Sequence, residues 1–169
     1  MEEIILVDEN DNEIGAGEKL KVHQDGKLHR AFSIFVFNSN GKLLLQKRSK
    51  SKYHTASLWA NTCCSHLRPD QDIEKEVKRR LMEEMGINCD LKEVFSFIYK
   101  ANVGDLIEYE FDHVFAGRFD GNPKPNKDEV EDWKWVDIDE LEKDIDKNPE
   151  KYVPWLKIAL EKYLELKKQ

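Results

Sequence analysis

Arg79-Arg80-Leu81-Met82-Glu83-Glu84-Met85-Gly86-Ile87 closes the most regular pattern in the chain. Upstream of its end, Ile73, Val77, Leu81 and Met85 recur every four residues and make one apolar ridge along a helix. Asp72 is the expected N-cap and Gly86 the expected stop. The helix therefore ends on two carboxylates, Glu83 and Glu84. Acids at such a helix end suit Mg²⁺, which prefers oxygen ligands and often shares them with a phosphate. A solvated acidic helix face is the plainer account of the same residues.

Outward from this helix the pattern changes to strands. Residues 4–8 read as a strand, 9–13 as a turn, and the chain resumes at Ile14. Residues 19–29, with His23 and His29 around Gln24-Asp25-Gly26, read as a loop. Residues 31–37 are aromatic and β-branched, as in a buried strand, and Asn38-Ser39-Asn40-Gly41 turns the chain into a second strand from Lys42. Residues 58–64 read as another strand. On the far side of the helix, 91–100 and 106–117 flank Asn102-Val103-Gly104-Asp105 as a hairpin. After a loop at 118–126, residues 133–136 make a short strand, and 138–146 and 154–168 make helices, the second opened by Pro154. With no repeat, low-complexity tract or linker, one α+β domain over residues 1–169 is the simplest organisation.

Composition excludes several function classes. With 27 Lys and Arg against 34 Asp and Glu, the formal net charge is −7, which argues against a surface that binds nucleic acid. No apolar run is long enough to span a membrane. The start lacks a signal peptide and the end lacks a lipidation or peroxisomal signal, so a cytoplasmic, reducing compartment is expected. Cys63, Cys64 and Cys89 are no disulfide framework, and no Cys-x-x-Cys pair offers a zinc ribbon.

Four further constellations carry possible chemistry. Cys64 and His66 are two apart on an extended segment and point to one side, with Cys63 on the other. A thiol beside a metal-bound histidine is activated, although buried cysteines more often pack as small hydrophobes. Glu108 and Glu110 share one strand face, with Tyr109 opposite. On that strand alone the expected orientation is outward and solvated, because two inward acids need a metal or a proton. Three of the five histidines with Glu108 and Glu110 would make a mixed nitrogen and oxygen site suited to Zn²⁺ or Mn²⁺. Finally Lys47, Arg48, Lys50 and Lys52, with Lys19 and Arg80, gather positive charge in an acidic chain, which suits a compact anion. A solvated basic loop is the plainer account. Tyr53 alone supplies nearby aromatic surface, too little for single-stranded nucleic acid.

The Glu-Glu-x-Gly-aliphatic ending resembles the end of the Nudix box. Three positions depart from that box: Ser65 stands at its glycine, Gln71 at its first glutamate and Arg80 at the glutamate after its arginine. Loss of those acids should weaken hydrolysis, which usually needs more than one metal. Taken in order, His23, His29, Arg48, Lys52, Asn61-Thr62-Cys63-Cys64-Ser65-His66, Glu84, Tyr99, Glu108-x-Glu110 and Pro154-Trp155 resemble the type 1 isopentenyl-diphosphate isomerases. Leu67 departs from that family, where proline commonly follows the histidine.

The resemblance implies a Nudix-type fold, a mixed sheet flanked by helices, and interconversion of isopentenyl and dimethylallyl diphosphate. It implies a metal site at His23, His29, His66, Glu108 and Glu110, for Zn²⁺, Mn²⁺ or Mg²⁺. Cys64 becomes the catalytic cysteine and Glu110, assisted by Tyr99, the second acid/base group. Glu84 becomes the ligand of a substrate-bound Mg²⁺. Lys19, Arg48, Lys52 and Arg80 pair with the diphosphate, and Trp155 faces the reacting carbons. The expected partner is a small diphosphate, with no nucleic acid and no membrane; the oligomeric state stays open. A Nudix hydrolase with a degenerate box is the alternative function, and a non-catalytic binding module a remoter one.

Overall fold

In a computed structural model that describes residues 1–52 and 54–169, the chain runs β1 (Glu3–Val7), β2 (Glu13–Glu18), α1 (Lys19–Asp25), β3 (His29–Phe37), β4 (Leu43–Arg48), β5 (Trp59–Ala60), β6 (Cys63–His66), α2 (Ile73–Met85), β7 (Leu91–Val103), β8 (Leu106–Arg118), β9 (Val130–Val136), α3 (Ile138–Lys147) and α4 (Pro154–Lys167), with a 3₁₀ turn at Pro149–Lys151. Tyr53 lies outside the described residues.

The apolar run of β3 is the centre of the sheet. It pairs antiparallel with β1, β4 and β6 and parallel with β8, which continues antiparallel to β7. Its two faces meet different layers, which explains why the run is continuous rather than alternating. Phe32, Ile34 and Val36 pack with Val77, Leu81 and Met85, the ridge of α2. Phe35 packs on the other side with Trp155, Leu156 and Leu160 of α4. The helix read from the sequence is present with both expected ends. Asp72 accepts from the amides of Glu74 and Lys75, and Gly86 closes the helix at φ 65°. A side chain at Gly86 would also collide with the Lys124 carbonyl, since an added Cβ would sit 2.6 Å from that oxygen.

Two local readings are corrected. Residues 19–25 form a helix, not a loop: Glu18 caps it by accepting from the amides of Leu20 and Lys21, and Gly26 ends it in the left-handed region at φ 67°. Two turns are too short to leave a clear period. Residues 58–64 are not one strand. β5 pairs with β4, β6 pairs with β3, and Asn61 and Thr62 make the crossing. The crossing fills a gap, because β3 and β4 pair through Phe37 and Leu43. Asn61 Nδ2 donates to the carbonyls of Ile34 and Cys63; Thr62 Oγ1 accepts from the Val36 amide and donates to the Leu44 carbonyl. Side chains thus satisfy buried backbone groups that a continued ladder would have satisfied. No helix among the described residues is long and apolar enough to cross a membrane.

Candidate active site

Sheet register assembles one end of the site. His29 pairs with Glu110 across β3 and β8, and Glu110 pairs with Tyr99 across β8 and β7. Paired residues share a face, so three distant parts of the sequence stand in one row. On the other side of β3, the β6 pairing sets Ala31 opposite His66 and Ser33 opposite Cys64. The short helix α1 adds His23. Ligand atoms of His23, His29, His66 and Glu108 all lie within 4.8 Å of one another.

Glu108 and Glu110 point inward, correcting the solvated orientation expected from β8 alone; they are 1% and 7% exposed. The strand pattern marks the shared face but not which side faces water. His23 Nδ1 lies 2.7 Å from the Lys19 carbonyl oxygen and His29 Nδ1 2.9 Å from that of Lys27. A carbonyl only accepts, so each ring carries a proton on Nδ1, and a neutral ring turns a bare Nε2 lone pair inward. These nitrogens meet carboxylates: His23 Nε2 is 3.3 Å from Glu108 Oε1, and His29 Nε2 is 3.4 Å from Glu110 Oε2. Lone pairs facing anions repel unless positive charge lies between them. His29 Nε2 is buried and has no hydrogen-bond partner among the described residues. His66 Nε2 reaches Glu110 Oε2 at 3.0 Å, and burial pushes its pKa down to about 4 against the pull of Glu110, leaving a neutral ring. Three imidazoles and two carboxylates are a donor set that fits a divalent metal ion.

The adjacent cysteines leave β6 on opposite sides, as their spacing predicts. Cys64 lines a cavity of about 320 Å³ with His66, Glu108, Glu110 and Trp155. Burial pushes its pKa up to about 12, with the Arg48 guanidinium opposing, so it rests as a thiol. Tyr99 Oη donates to Glu110 Oε1 at 2.5 Å. Trp155 is held edge-on by its Nε1, which donates to Asn61 Oδ1 at 3.0 Å, and the Arg48 guanidinium lies 5.8 Å from its ring centre.

Lys19, Arg48, Lys52 and Arg80 line the same cavity. Of these cations, Lys19, Lys52 and Arg80 already face acids. Arg80 reaches Glu84 at 3.0 Å and Glu129 at 3.7 Å, and Lys52 is paired with Glu129. Glu84 is buried beneath them and receives hydrogen bonds from Cys63 Sγ at 3.1 Å and Gln46 Nε2 at 3.4 Å. Arg79 and Glu83 form an exposed pair on the outer face of α2. Leu67 uses the amide that proline would lack: it donates to the Arg30 carbonyl at 3.2 Å.

Four residues escaped the sequence reading. Cys63 looked like a small core residue, yet its thiol positions Glu84. Glu129 sits in a loop without a motif. Asp112 extends the Glu108 and Glu110 row by one more alternate position; its Oδ2 accepts from Ser33 Oγ at 2.8 Å, and burial beside Glu110 holds its pKa well above the usual range. The same period of two had marked it. His54 lies in the basic stretch, where charge concealed it, and its Nε2 approaches Glu108 Oε1 to 2.6 Å.

The NUDIX domain family matches residues 27–156. A protein of Aromatoleum aromaticum named isopentenyl-diphosphate Delta-isomerase 2 is 52% identical over 164 residues, covering 96% of this chain and 87% of its own length. The chain belongs to the isopentenyl-diphosphate Delta-isomerase family, within the NUDIX domain proteins. A second family member, isopentenyl-diphosphate Delta-isomerase 2 of Photorhabdus laumondii, is 55% identical over 159 residues, 93% of this chain and 90% of that one. The crystal structure of a Deinococcus radiodurans protein shares the fold, with a TM-score of 0.81 over 95% of this chain and 98% of that one at 19% identity. Within the isomerase family's NUDIX frame, the departures at Ser65, Gln71 and Arg80 have physical content. Ser65 lines the cavity, Gln71 Oε1 accepts from the Arg68 amide ahead of α2, and Arg80 places a cation where the hydrolase box has an acid.

Proposed function

We propose that this chain catalyses the interconversion of isopentenyl and dimethylallyl diphosphate in isoprenoid biosynthesis, with Cys64 and Glu110 as the proton-transferring pair. The observation that carries this reading is the single cavity lined both by Cys64, Glu110 and Trp155 and by Arg48, Lys52 and Arg80. A short apolar chain attached to a diphosphate needs both kinds of lining.

Moving the double bond requires a proton added at one carbon and another removed two carbons away. An unactivated alkene is a weak base, and its protonation gives a tertiary carbocation. The Cys64 thiol and the Glu110 carboxyl serve as donor and acceptor. The reaction is reversible, so each group donates in one direction and accepts in the other. Tyr99 holds Glu110 through its hydroxyl. The Trp155 face stabilises the cation by ~2 kcal/mol or more in a dry pocket, and its burial keeps out water that would trap the cation as an alcohol. His23, His29, His66, Glu108 and Glu110 would hold a tight divalent ion, and Glu84 a Mg²⁺ shared with the substrate. Such ions supply positive charge that fixes the buried carboxylates and neutralises the diphosphate. Arg48, Lys52, Arg80 and Lys19 bind the diphosphate oxygens, so binding energy far from the reacting carbons orients the alkene.

Incubation with isopentenyl diphosphate and Mg²⁺, followed by NMR, tests the reading directly. The expected spectrum shows dimethylallyl diphosphate with no free phosphate. Release of phosphate without bond migration would instead support a hydrolase.

A further inference from the structure

Asn61 uses every polar atom of its side chain on a fixed partner. It is fully buried at the crossing between β5 and β6, just ahead of Cys64. Nδ2 donates to the Ile34 carbonyl at 3.1 Å and to the Cys63 carbonyl at 2.8 Å. Carbonyl oxygens only accept, so these bonds take both amide hydrogens and fix which way the side chain is turned. Oδ1 is left for the indole of Trp155, whose Nε1 donates to it at 3.0 Å across 94 positions of sequence.

That bond is not what docks α4. The Val153 amide donates to the Trp59 carbonyl at 3.0 Å, and Leu156, Ala159 and Leu160 bury the helix in the core. The bond acts on the ring instead. Trp155 is 4% exposed and lines the cavity with Cys64 and Glu110, while Asn61 is not among the described residues that line it. The torsion that turns an indole is broad and roughly two-fold, and only one of the two turns brings the N–H to Asn61. An aromatic ring is negative on its face and positive at its edge. The observed turn therefore sends the most positive part of that edge to a buried amide oxygen behind the cavity wall.

We propose that Asn61 is a positioning residue for the isomerisation: by accepting the indole N–H it holds the positive edge of Trp155 away from the substrate and leaves the π face for the cationic carbon. The proposal rests on the carbocation reading above and names the residue that makes the Trp155 face available to it.

Calorimetric binding of two diphosphates with Mg²⁺ present tests it. One carries a dimethylammonium group where the cationic carbon would form, the other a neutral isopropyl group of the same shape. The proteins are the wild type, Asn61→Ala, Asn61→Asp, Trp155→Phe and Asn61→Ala combined with Trp155→Phe, each checked for folding by circular dichroism. The wild type should prefer the charged ligand by about tenfold, as a cation over an indole in a dry pocket would. In Asn61→Ala this preference should fall about fivefold and kcat with it, while KM and the affinity for the neutral ligand change by less than about twofold. In the Trp155→Phe background Asn61→Ala should change the preference no further, because the two residues act as a pair. Asn61→Asp keeps an oxygen for the indole and gives up both amide hydrogens, so it should retain most of the preference even where its stability drops. A preference untouched in Asn61→Ala, an equal weakening of both ligands there, the same loss in the Trp155→Phe background, or an Asn61→Asp that loses the preference would each reduce Asn61 to a structural role and overturn the proposal alone. A wild type with no preference for the charged ligand would overturn the carbocation reading together with it.

Discussion

Two groups of residues at the cavity, the histidine end with its carboxylates and the arginine end with Lys52 and Arg80, are built on opposite terms. At the histidine end the groups are buried and crowded: ring nitrogens face carboxylates across about 3 Å, and Glu108 stands two residues from Glu110. At the arginine end the charges attract, with Lys52 and Arg80 already matched to Glu129 and Glu84. The first end is preformed by sheet register, and its donor set suits a cation. The second is complete by itself, and an incoming diphosphate has to exchange partners with Glu129. An ion should therefore be held firmly at one end before substrate arrives, while binding at the other is a competition.

The sharpest test lies at the two faces of β6. Cys64→Ser should lower kcat by roughly 10²–10⁴, the range of a lost acid/base group, with the circular dichroism spectrum unchanged. Cys63→Ala should cost much less and act through Glu84, raising the Mg²⁺ concentration needed for half-maximal rate. Equal losses in kcat in both folded variants would remove the distinction between the two faces of β6.

Next in size is the metal end. Purified protein should contain about one tightly held divalent ion per chain. His66→Ala should lose it and Glu84→Gln should keep it, as elemental analysis would read. Loss of the ion in both would merge the two sites into one.

Arg48→Met and Lys52→Met should each raise KM by about 10–100-fold, the worth of a charge-assisted hydrogen bond, with a smaller change in kcat. Unchanged constants in both variants would return the basic stretch to a solvated loop. The smallest effect belongs to Glu129→Gln. Removing the resident acid should lower KM by roughly two- to fivefold, in line with a partly exposed ion pair. A raised KM would show instead that Glu129 holds Lys52 and Arg80 in place for the substrate.

The sequence was most legible where one period ran long. The α2 ridge, its two caps, the buried run of β3 and the β7–β8 hairpin are all read correctly, because each depends on neighbours in the chain. Opposite placement of Cys63 and Cys64 follows from the same local rule. The inward turn of Glu108 and Glu110 does not, since a strand's two faces look alike until something packs on one. Helix α1 was hidden by its length and by a glutamate in the capping position, where shorter side chains are usual. The break between β5 and β6 depends on a gap between β3 and β4 that only the assembled sheet contains. His54 and Glu129 were concealed by the same fact: each matters through a partner far away in the chain.

That gap also bears on how the molecule breathes. A backbone ladder opens one bond at a time, but the junction of β3 and β4 is closed by two side chains, Asn61 and Thr62, each serving several groups at once. Asn61 also anchors the indole of Trp155. Rotation of these two residues would release the junction, the indole and the strand bearing Cys64 together. Opening at that junction would therefore be felt at the wall of the reaction chamber itself.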